Sequence, residues 1–348
     1  MSQSGGLHRS LGLRGKNIAK EKLELTVEEY TKYHDIHGGD EELRKSNYAD
    51  LVNKYYDLVT NFVEYRWGQS FHFAPRWHGE TLPESIKRFE HFIALQLGLK
   101  KGMKVLDVGC GIGGPLREIA RFSSAEITGL NNNSYQISRA KELISSAGLS
   151  EKCNFVKGDF MNMPFPDNSF DAAYAIEATI HAPDALGAYR EIYRVLKPGR
   201  YFALDELCLT DRFDPTNSKH MDIKAEIELG SGLPDVRSTR QCIQAMKDAG
   251  FEVVFAKDLA EDSECPWYHD LDPGLFSWAT FWNSRVGGFL TTTIVGTLEF
   301  LRIAPKGCNR LFSTLLTGSH GLITGSREQI FTATFFVLGR KPFKESEI

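Results

Sequence analysis

The chain has 348 residues, of which 42% are hydrophobic and 25% charged, and this composition is typical of a folded globular protein. Its 41 lysines and arginines are outnumbered by 45 aspartates and glutamates, so it lacks the basic excess of most nucleic-acid-binding proteins. The six cysteines stand far apart without a C-x-x-C pair, which argues against a compact zinc site, and no metal is expected.

Two segments bear on targeting and membranes. Residues 1–25 are predicted to form a flexible tail. They contain no apolar stretch long enough for a secretory signal peptide. Near the C-terminus, the longest uncharged and largely apolar stretch, residues 286–298, is too short to cross a bilayer as a helix. We therefore expect a protein that does not span a membrane.

Residues 26–98 predict a helical N-terminal segment that carries a dense aromatic run. Residues 26–62 read as helices, and residues 82–98 place Ile86, Phe89 and Ile93 on one helical face. Between them, the run N-F-V-E-Y-R-W-G-Q-S-F-H-F at residues 61–73 breaks the helical periodicity.

Residues 99–261 predict a regular alternation of strands and helices. The strands are expected at 103–109, 125–130, 153–159, 170–176, 201–210 and 251–259, and a seventh at 329–342 lies within the C-terminal part, residues 262–348. The helix before the fifth strand is expected to end at Pro198-Gly199. Such alternation predicts an α/β, Rossmann-like fold with a mostly parallel seven-stranded sheet and helices on both faces.

The loop after the first strand contains glycines with the spacing G-x-G-x-x-G, at Gly109, Gly111 and Gly114. Such a loop lets the backbone approach a ligand closely, and the following helix N-terminus offers free N–H donors. A dinucleotide-binding site also needs an acid near the tip of the second strand, where this chain has the amides Asn131 and Asn132. The amides argue against NAD.

Four motifs in register resemble the class I S-adenosylmethionine-dependent methyltransferases. They are L-D-V-G-C-G-x-G at 106–113, G-D-F at 158–160, F-P-D-N-S-F-D at 165–171 and L-K-P-G at 196–199. The resemblance implies S-adenosylmethionine as cofactor, with ten contact residues: Asp107, Gly109, Cys110, Gly111, Asn131, Asn132, Gln136, Asp159, Phe160 and Glu177.

Two further segments resemble the sterol 24-C-methyltransferase family. They are E-Y-R-W-G-Q-S-F-H-F-A-P-R-W at 64–77 and Y-A-I-E-A-T-I-H-A-P-D at 174–184. The likeness extends over about residues 28–343, including the C-terminal insertion. Five residues depart from the pattern: Arg66 for glycine, Ile180 for cysteine, Asp205 for tyrosine, Leu207 for tryptophan and Ser231 for aspartate.

The resemblance implies methyl transfer to carbon 24 of a delta-24 sterol, through a carbocation, a hydride shift and loss of a proton. The catalytic residues it suggests are Glu177, His181, Tyr65 and Glu206, and the substrate residues are Tyr65, Trp67, Phe71, Phe73, Tyr174 and Glu228. If the turn after Ile176 is helical, Glu177 and His181 lie on one face and either could be the base. Aromatic rings can stabilise a cation without supplying a nucleophile.

Several alternatives stay open at this stage. Another methyltransferase of apolar substrates, of the tocopherol or cyclopropane-forming type, would share the glycine loop, and a non-catalytic binding protein could retain the fold. Residues 275–302 could form a lid over the sterol, rest on a bilayer, or simply pack in the C-terminal core. A sterol substrate favours peripheral association with the cytosolic face of the endoplasmic reticulum, and a homo-oligomer is left open.

Overall fold

The computed structural model of the chain describes residues 20–34, 39–272 and 285–343. Most of the predicted tail, residues 1–19, therefore lies outside the described residues, as do residues 273–284 of the apolar 275–302 segment. Residues 20–25, which were assigned to the tail, belong to a helix.

The chain divides into two units. The first comprises Met1–Gly68, Arg212–Val236 and Tyr268–Phe331, and the second comprises Gln69–Asp211, Arg237–Trp267 and Thr332–Ile348. Residues 69–98, which the sequence places with the N-terminal segment, thus lie in the second unit together with the strands.

The described residues form eleven α-helices. They are α1 (Lys20–Lys32), α2 (Glu41–Ser46), α3 (Tyr48–Arg66), α4 (Leu82–Gln96), α5 (Gly114–Ser123), α6 (Ser134–Ser146), α7 (Ala185–Val195), α8 (Ser218–Ser231), α9 (Thr239–Asp248), α10 (Arg285–Phe300) and α11 (Cys308–Arg327).

The second unit is built on a seven-stranded sheet. The strands are β1 (Lys104–Val108), β2 (Glu126–Asn131), β3 (Cys153–Lys157), β4 (Phe170–Ile176), β5 (Leu196–Leu209), β6 (Glu252–Asp258) and β7 (Phe331–Arg340). They lie in the order β3-β2-β1-β4-β5-β7-β6. The pairs β1–β2, β2–β3, β1–β4 and β4–β5 are parallel, while β6 and β7 are antiparallel. The predicted Rossmann-like, mostly parallel sheet is confirmed.

Helices cover both faces of this sheet. Because crossovers between parallel strands are right-handed, α5 and α6, which lead towards β3, lie on one face, and α7, which leads from β4 to β5, lies on the other. Side-chain packing agrees, since Ile192 of α7 and Met246 of α9 share a buried core with Phe335 of β7. The adjacent Phe336 instead contacts Phe92 of α4, with ring centroids 5.0 Å apart.

The first unit has its own apolar core, in which α1 and α3 pack together. Val27 and Tyr30 of α1 are buried against Leu51 and Val59 of α3, and Leu311 of α11 packs against the same cluster. The Tyr30 hydroxyl donates a hydrogen bond to the Leu229 carbonyl of α8. The amphipathic spacing of α1 and α3 thus buries one face of each helix.

The boundary between α7 and β5 differs from the prediction. The helix ends at Val195, four residues before Gly199, and Leu196 is already extended. Proline is tolerated in this strand because the pairing with β4 is irregular there: Phe170 lies opposite Leu196, but Ala172 lies opposite Tyr201. The expected break in helical periodicity at residue 61 is also displaced, since α3 continues to Arg66.

Two glycines set the distance between α8 and α11. A β-carbon on Gly230 would lie 2.1 Å from the Gly318 α-carbon, and one on Gly318 would lie 2.4 Å from the Gly230 α-carbon. The two backbones are therefore in direct contact, and side chains at these positions would force the helices apart.

We expect Gly318→Ala to lower the free energy of unfolding by about 1–3 kcal/mol through overpacking, although alanine is the better helix former. Gly296→Ala in α10 is the matched control, because its β-carbon would meet only the Asn309 side chain at 3.4 Å. Urea unfolding measures both variants. Equal stabilisation of the two would show that α8 and α11 do not meet at these glycines.

Candidate active site

The glycine loop joins β1 to α5 at the carboxyl edge of the sheet. The Gly109 and Cys110 N–H groups donate to the Leu130 carbonyl at 2.9 and 3.1 Å, which fixes the loop to the end of β2. The Cys110 side chain is buried beside Gly129, so this residue offers only its backbone to a ligand.

Two glycines of the loop have positive φ angles for different reasons. Gly109 has a φ of 78°, and a β-carbon there would lie 2.4 Å from the Ala178 β-carbon, so its absence is required by packing. Gly111 has a φ of 52°, and a β-carbon there would meet nothing within 4 Å. The loop therefore leaves open space at Gly111, where a ligand can approach the backbone.

The amides at the tip of β2 complete this side of the loop. The Asn131 side-chain amide donates to the Gly111 carbonyl at 3.3 Å and to the Gln136 side chain at 2.8 Å. Asn133, which the sequence analysis did not single out, caps α6 by accepting a hydrogen bond from the Gln136 N–H. Asn132 is half-buried beside them.

The turn after β3 lies at the same edge of the sheet. Asp159 accepts a hydrogen bond from the Met161 N–H at 2.8 Å, which shapes the turn, and both Asp159 and Phe160 remain half-buried. Phe160 packs against the apolar core of the unit. The structure thus gathers the predicted cofactor residues around one carboxyl edge.

Asp107 and Tyr174 lie opposite each other on β1 and β4. Asp107 is buried and its Oδ2 atom has no hydrogen-bond partner within the described residues. Burial raises the pKa of Asp107 to about 7, and the phenol of Tyr174 opposes the shift. The open space at Gly111 and this orphaned carboxyl oxygen fit a polar, positively charged ligand.

Residues 69–73, which we call the strap, connect the glycine loop to the end of β4. Arg117 of α5 donates to the Gln69 side-chain oxygen at 2.5 Å. At the other end of the strap, the Phe73 N–H donates to the Glu177 carboxyl at 2.5 Å. Glu177 is half-buried, and burial raises its pKa to about 8, although His72 and the Phe73 N–H favour the ionised form.

A buried pair of side chains holds the middle of the strap. The His72 Nε2 atom lies 3.3 Å from the Glu90 Oε1 atom, and Ser70 donates to the same oxygen at 2.6 Å. Burial alone would lower the pKa of His72, but the hydrogen bond to Glu90 and the charges of Glu90 and Glu177 outweigh it, and the pKa is raised. Sequence reasoning missed these partners, because it singled out only the aromatic residues of the run.

The turn after β4 is not an α-helix, so the premise that placed Glu177 and His181 on one helical face is wrong. Glu177 has a left-handed backbone with a φ of 49°, and only Thr179–His181 form a short 3-10 helix. Arg237 donates hydrogen bonds to the carbonyls of Thr179 and Ala182 and so stabilises this turn. His181 is buried within it.

Glu206 supports the same turn from the sheet. It is fully buried and accepts a hydrogen bond from the Thr179 hydroxyl at 2.5 Å. Burial raises the pKa of Glu206 to about 8, and the nearby Arg237 favours its ionised form. Its neighbours on β5 in the same orientation, Leu204 and Cys208, lie in the core shared with α7 and α9.

The predicted aromatic residues are distributed over both units. Phe73 packs edge-on against Trp267, with ring centroids 4.5 Å apart, and Phe71 is half-buried in the strap. Tyr65, at the end of α3, is 58% exposed, and Trp67 is the half-buried residue that follows α3. The latter two belong to the first unit and Phe71 and Phe73 to the second.

Glu228 lies in a buried ionic cluster of the first unit. Its carboxyl pairs with Arg44 at 2.8 Å and with Lys224, and it accepts the Val236 N–H at 3.1 Å. Arg44 also donates to the Pro234 carbonyl. Through these contacts, Glu228 holds the chain after α8 in place.

Two properties of the described residues bear on metals and membranes. No group of three or more histidine, cysteine, aspartate or glutamate side chains among them could hold a metal ion. Within the same residues, none of the helices has both the length and the apolarity needed to cross a membrane.

Two solved structures with the same fold are remote in sequence. A [4+2]-cyclase, SpnF, matches with a TM-score of 0.64 at 22% identity, covering 85% of this chain and 97% of its own. The cyclopropane synthase MmaA2 from Mycobacterium tuberculosis matches with a TM-score of 0.61 at 15% identity, covering 90% of this chain and 98% of its own. At these identities the likeness establishes the fold alone.

Comparison of sequences is more specific. Residues 106–204 match a methyltransferase domain, and residues 278–343 match the C-terminal part of sterol methyltransferases. The chain is 61% identical to cycloartenol-C-24-methyltransferase 1 of Oryza sativa subsp. japonica, over 99% of this chain and 100% of the relative. It is 45% identical to a sterol 24-C-methyltransferase of Candida albicans, over 94% and 90% of the two chains. The chain belongs to the sterol 24-C-methyltransferase family of S-adenosylmethionine-dependent enzymes.

Proposed function

We propose that the protein transfers a methyl group from S-adenosylmethionine to carbon 24 of a sterol with a double bond between carbons 24 and 25. The observation that carries this is the placement of Glu177 beside the glycine loop by a hydrogen bond from the aromatic strap. Full-length similarity to relatives named for this activity supports it. Two relatives at 61% identity are named for cycloartenol, which favours that acceptor over lanosterol- or zymosterol-like ones.

The cofactor supplies an electrophilic methyl group when bound. We assign its binding to the glycine loop with Asp107, to the amides of Asn131, Asn132 and Gln136, to the turn at Asp159 and Phe160, and to Glu177. The loop contributes Gly109, Cys110 and Gly111 through their backbone. The loop geometry, with open space at Gly111, supports this assignment.

The reaction at the acceptor gives a role to the aromatic residues of the second unit. Carbon 24 gains the methyl group, the positive charge appears at carbon 25, a hydride shifts from carbon 24, and loss of a proton from the new methyl group leaves a methylene product. An alkene is a poor nucleophile, so alignment must provide much of the rate. The ring faces of Phe71 and Phe73 can attract the cation without adding to it.

We assign the final proton transfer to Glu177, because this half-buried residue follows β4 at the edge of the sheet and burial raises its pKa to about 8. The contacts of Glu206 with Thr179 and of His181 within the buried turn favour positioning roles for both. Tyr65, Trp67, Tyr174 and Glu228 stay predictions as acceptor contacts, and the ionic partners of Glu228 favour a structural role for that residue.

We further propose that α10 rests on the surface of a sterol-containing membrane, as expected for the cytosolic face of the endoplasmic reticulum. Residues 286–298 carry no charge, and the exposed apolar side chains of α10 include Val286, Phe289, Ile294 and Phe300. Such a helix gains free energy by burying its apolar side chains at the lipid interface.

Gly111→Val should abolish binding of S-adenosylhomocysteine, because the side chain enters the open space of the loop and strains a backbone with positive φ. Gly148→Val is the matched control, since Gly148 also has a positive φ, 69°, and open space around its β-carbon position. Calorimetry should detect normal affinity in the control alone. Gly109→Val is a poorer test, because it would also clash with Ala178.

Glu177→Gln should lower turnover roughly 100-fold or more while leaving the fold intact, because it removes the charge and keeps the shape. In the unchanged protein, turnover should rise with pH towards the pKa of Glu177, about 8, as the carboxylate forms. The Gln variant should lack this rise. Glu142→Gln, on the exposed face of α6, is the control, and mass spectrometry of sterol products should reveal alcohols if water captures the cation.

Phe289→Glu combined with Ile294→Glu should abolish flotation of the protein with neutral phosphatidylcholine vesicles containing sterol. The two side chains are 70% and 52% exposed on α10. Leu95→Glu alters an equally exposed leucine of α4 and serves as the control. Unchanged flotation of the double variant would reject α10 as the membrane contact.

A further inference from the structure

Asp205 lies next to Glu177 at the carboxyl edge of the sheet. On the parallel strands β4 and β5 it is paired with Ile176, the residue before Glu177, and its carbonyl accepts the Glu177 N–H at 2.8 Å. Side chains alternate along β5, so Asp205 points to the face opposite Glu206, away from the core shared with α7 and α9.

The Asp205 carboxyl is fully buried, and neither of its oxygens has a hydrogen-bond partner among the described residues. The adjacent Glu206 is equally buried, but it bonds Thr179 and lies near Arg237. Buried carboxyls are normally paired or hydrogen-bonded, because desolvation is costly. The described part of the chain therefore gives Asp205 no partner that would explain its burial.

Among the described residues, the charged groups that act on Asp205 are acidic. They come from three elements, as Glu177 after β4, Glu206 on β5 and Asp258 at the end of β6. Burial together with these acids raises the pKa of Asp205 well above its ordinary value. The nearest base of the strap, His72, is hydrogen-bonded to Glu90 and acts on Glu177. Asp258 is itself engaged, since it accepts hydrogen bonds from Thr332 and the Ala260 N–H.

We propose that Asp205 is a second carboxyl that interacts with the positive charge of a ligand in the site bordered by Glu177. A nearby cation favours the ionised form of a buried carboxyl that has no hydrogen-bond donor beside it. The proposal deepens the proposed function and rests on it, because that reaction brings positive charge to this site twice, on the cofactor and on the acceptor.

The test compares S-adenosylmethionine with S-adenosylhomocysteine, which lacks the transferred methyl group and its positive charge. Affinities are measured by calorimetry from about pH 6 to about pH 9, in buffers of different ionisation heat that reveal proton release. For the unchanged protein, we expect the preference for S-adenosylmethionine to grow with pH and its binding to release protons. Asp205→Asn should lower this preference about tenfold, release fewer protons, and leave the affinity for S-adenosylhomocysteine unchanged.

Two further variants keep the test decisive. Asp205→Tyr replaces the carboxyl with a phenol that stays neutral at physiological pH and should behave like Asp205→Asn, so a folding defect in one variant does not end the test. In Glu177→Gln protein, adding Asp205→Asn should further reduce the proton release that remains, and the rest is expected from Asp107. Unchanged preference and proton release in both the Asn and Tyr variants would overturn the role of Asp205.

The measurement separates this inference from the proposed function, because neither ligand comparison requires a sterol. If no sterol is methylated but Asp205→Asn still lowers the preference for the cationic ligand, the acceptor assignment fails and Asp205 keeps its role. If sterols are methylated and the preference is unchanged in the variant, the inference about Asp205 alone is wrong.

Discussion

The parallel pairing of β1 with β4 is the constraint on which the site depends. The chain places β2 and β3 on one side of β1 and then returns to add β4 and β5 on the other, so the loops after β1 and β4 diverge at the carboxyl edge. Open α/β sheets bind ligands at such a reversal of strand order. The register that sets Asp107 opposite Tyr174 also brings the glycine loop into contact with Ala178. Sheet pairing thus fixes both walls of the crevice.

The strap then fixes the position of Glu177 beside the crevice. Its backbone N–H at Phe73 holds Glu177, while the Ser70 and His72 side chains converge on Glu90 of α4. A positive φ is uncommon for a residue other than glycine. Glu177 therefore depends on contacts with other residues, such as the strap, to keep this backbone conformation. Besides its aromatic rings, the strap therefore contributes a backbone N–H that positions the Glu177 carboxyl.

Much of this architecture could be predicted from sequence, because strand periodicity and glycine spacing are local signals. Strands β1 to β5 and the glycine loop follow from residues 103–210 alone, and the Asn131 amide contacts both Gly111 and Gln136. The geometry after β4 could not be predicted, since a four-residue spacing does not reveal that Glu177 adopts a positive φ. The partners of His72 and Asp205 depend on contacts between distant parts of the chain, which no local pattern encodes.

The distribution of charge along the carboxyl edge has a common physical explanation. Asp107, Glu177 and Asp205 each have a pKa raised by burial, and His72 and the Phe73 N–H oppose the shift at Glu177. A raised pKa favours the uncharged acid, and a positive ligand that arrives in a low dielectric favours the ionised form. An edge with buried carboxyls of raised pKa therefore suits a reaction in which positive charge enters with one ligand and moves to another.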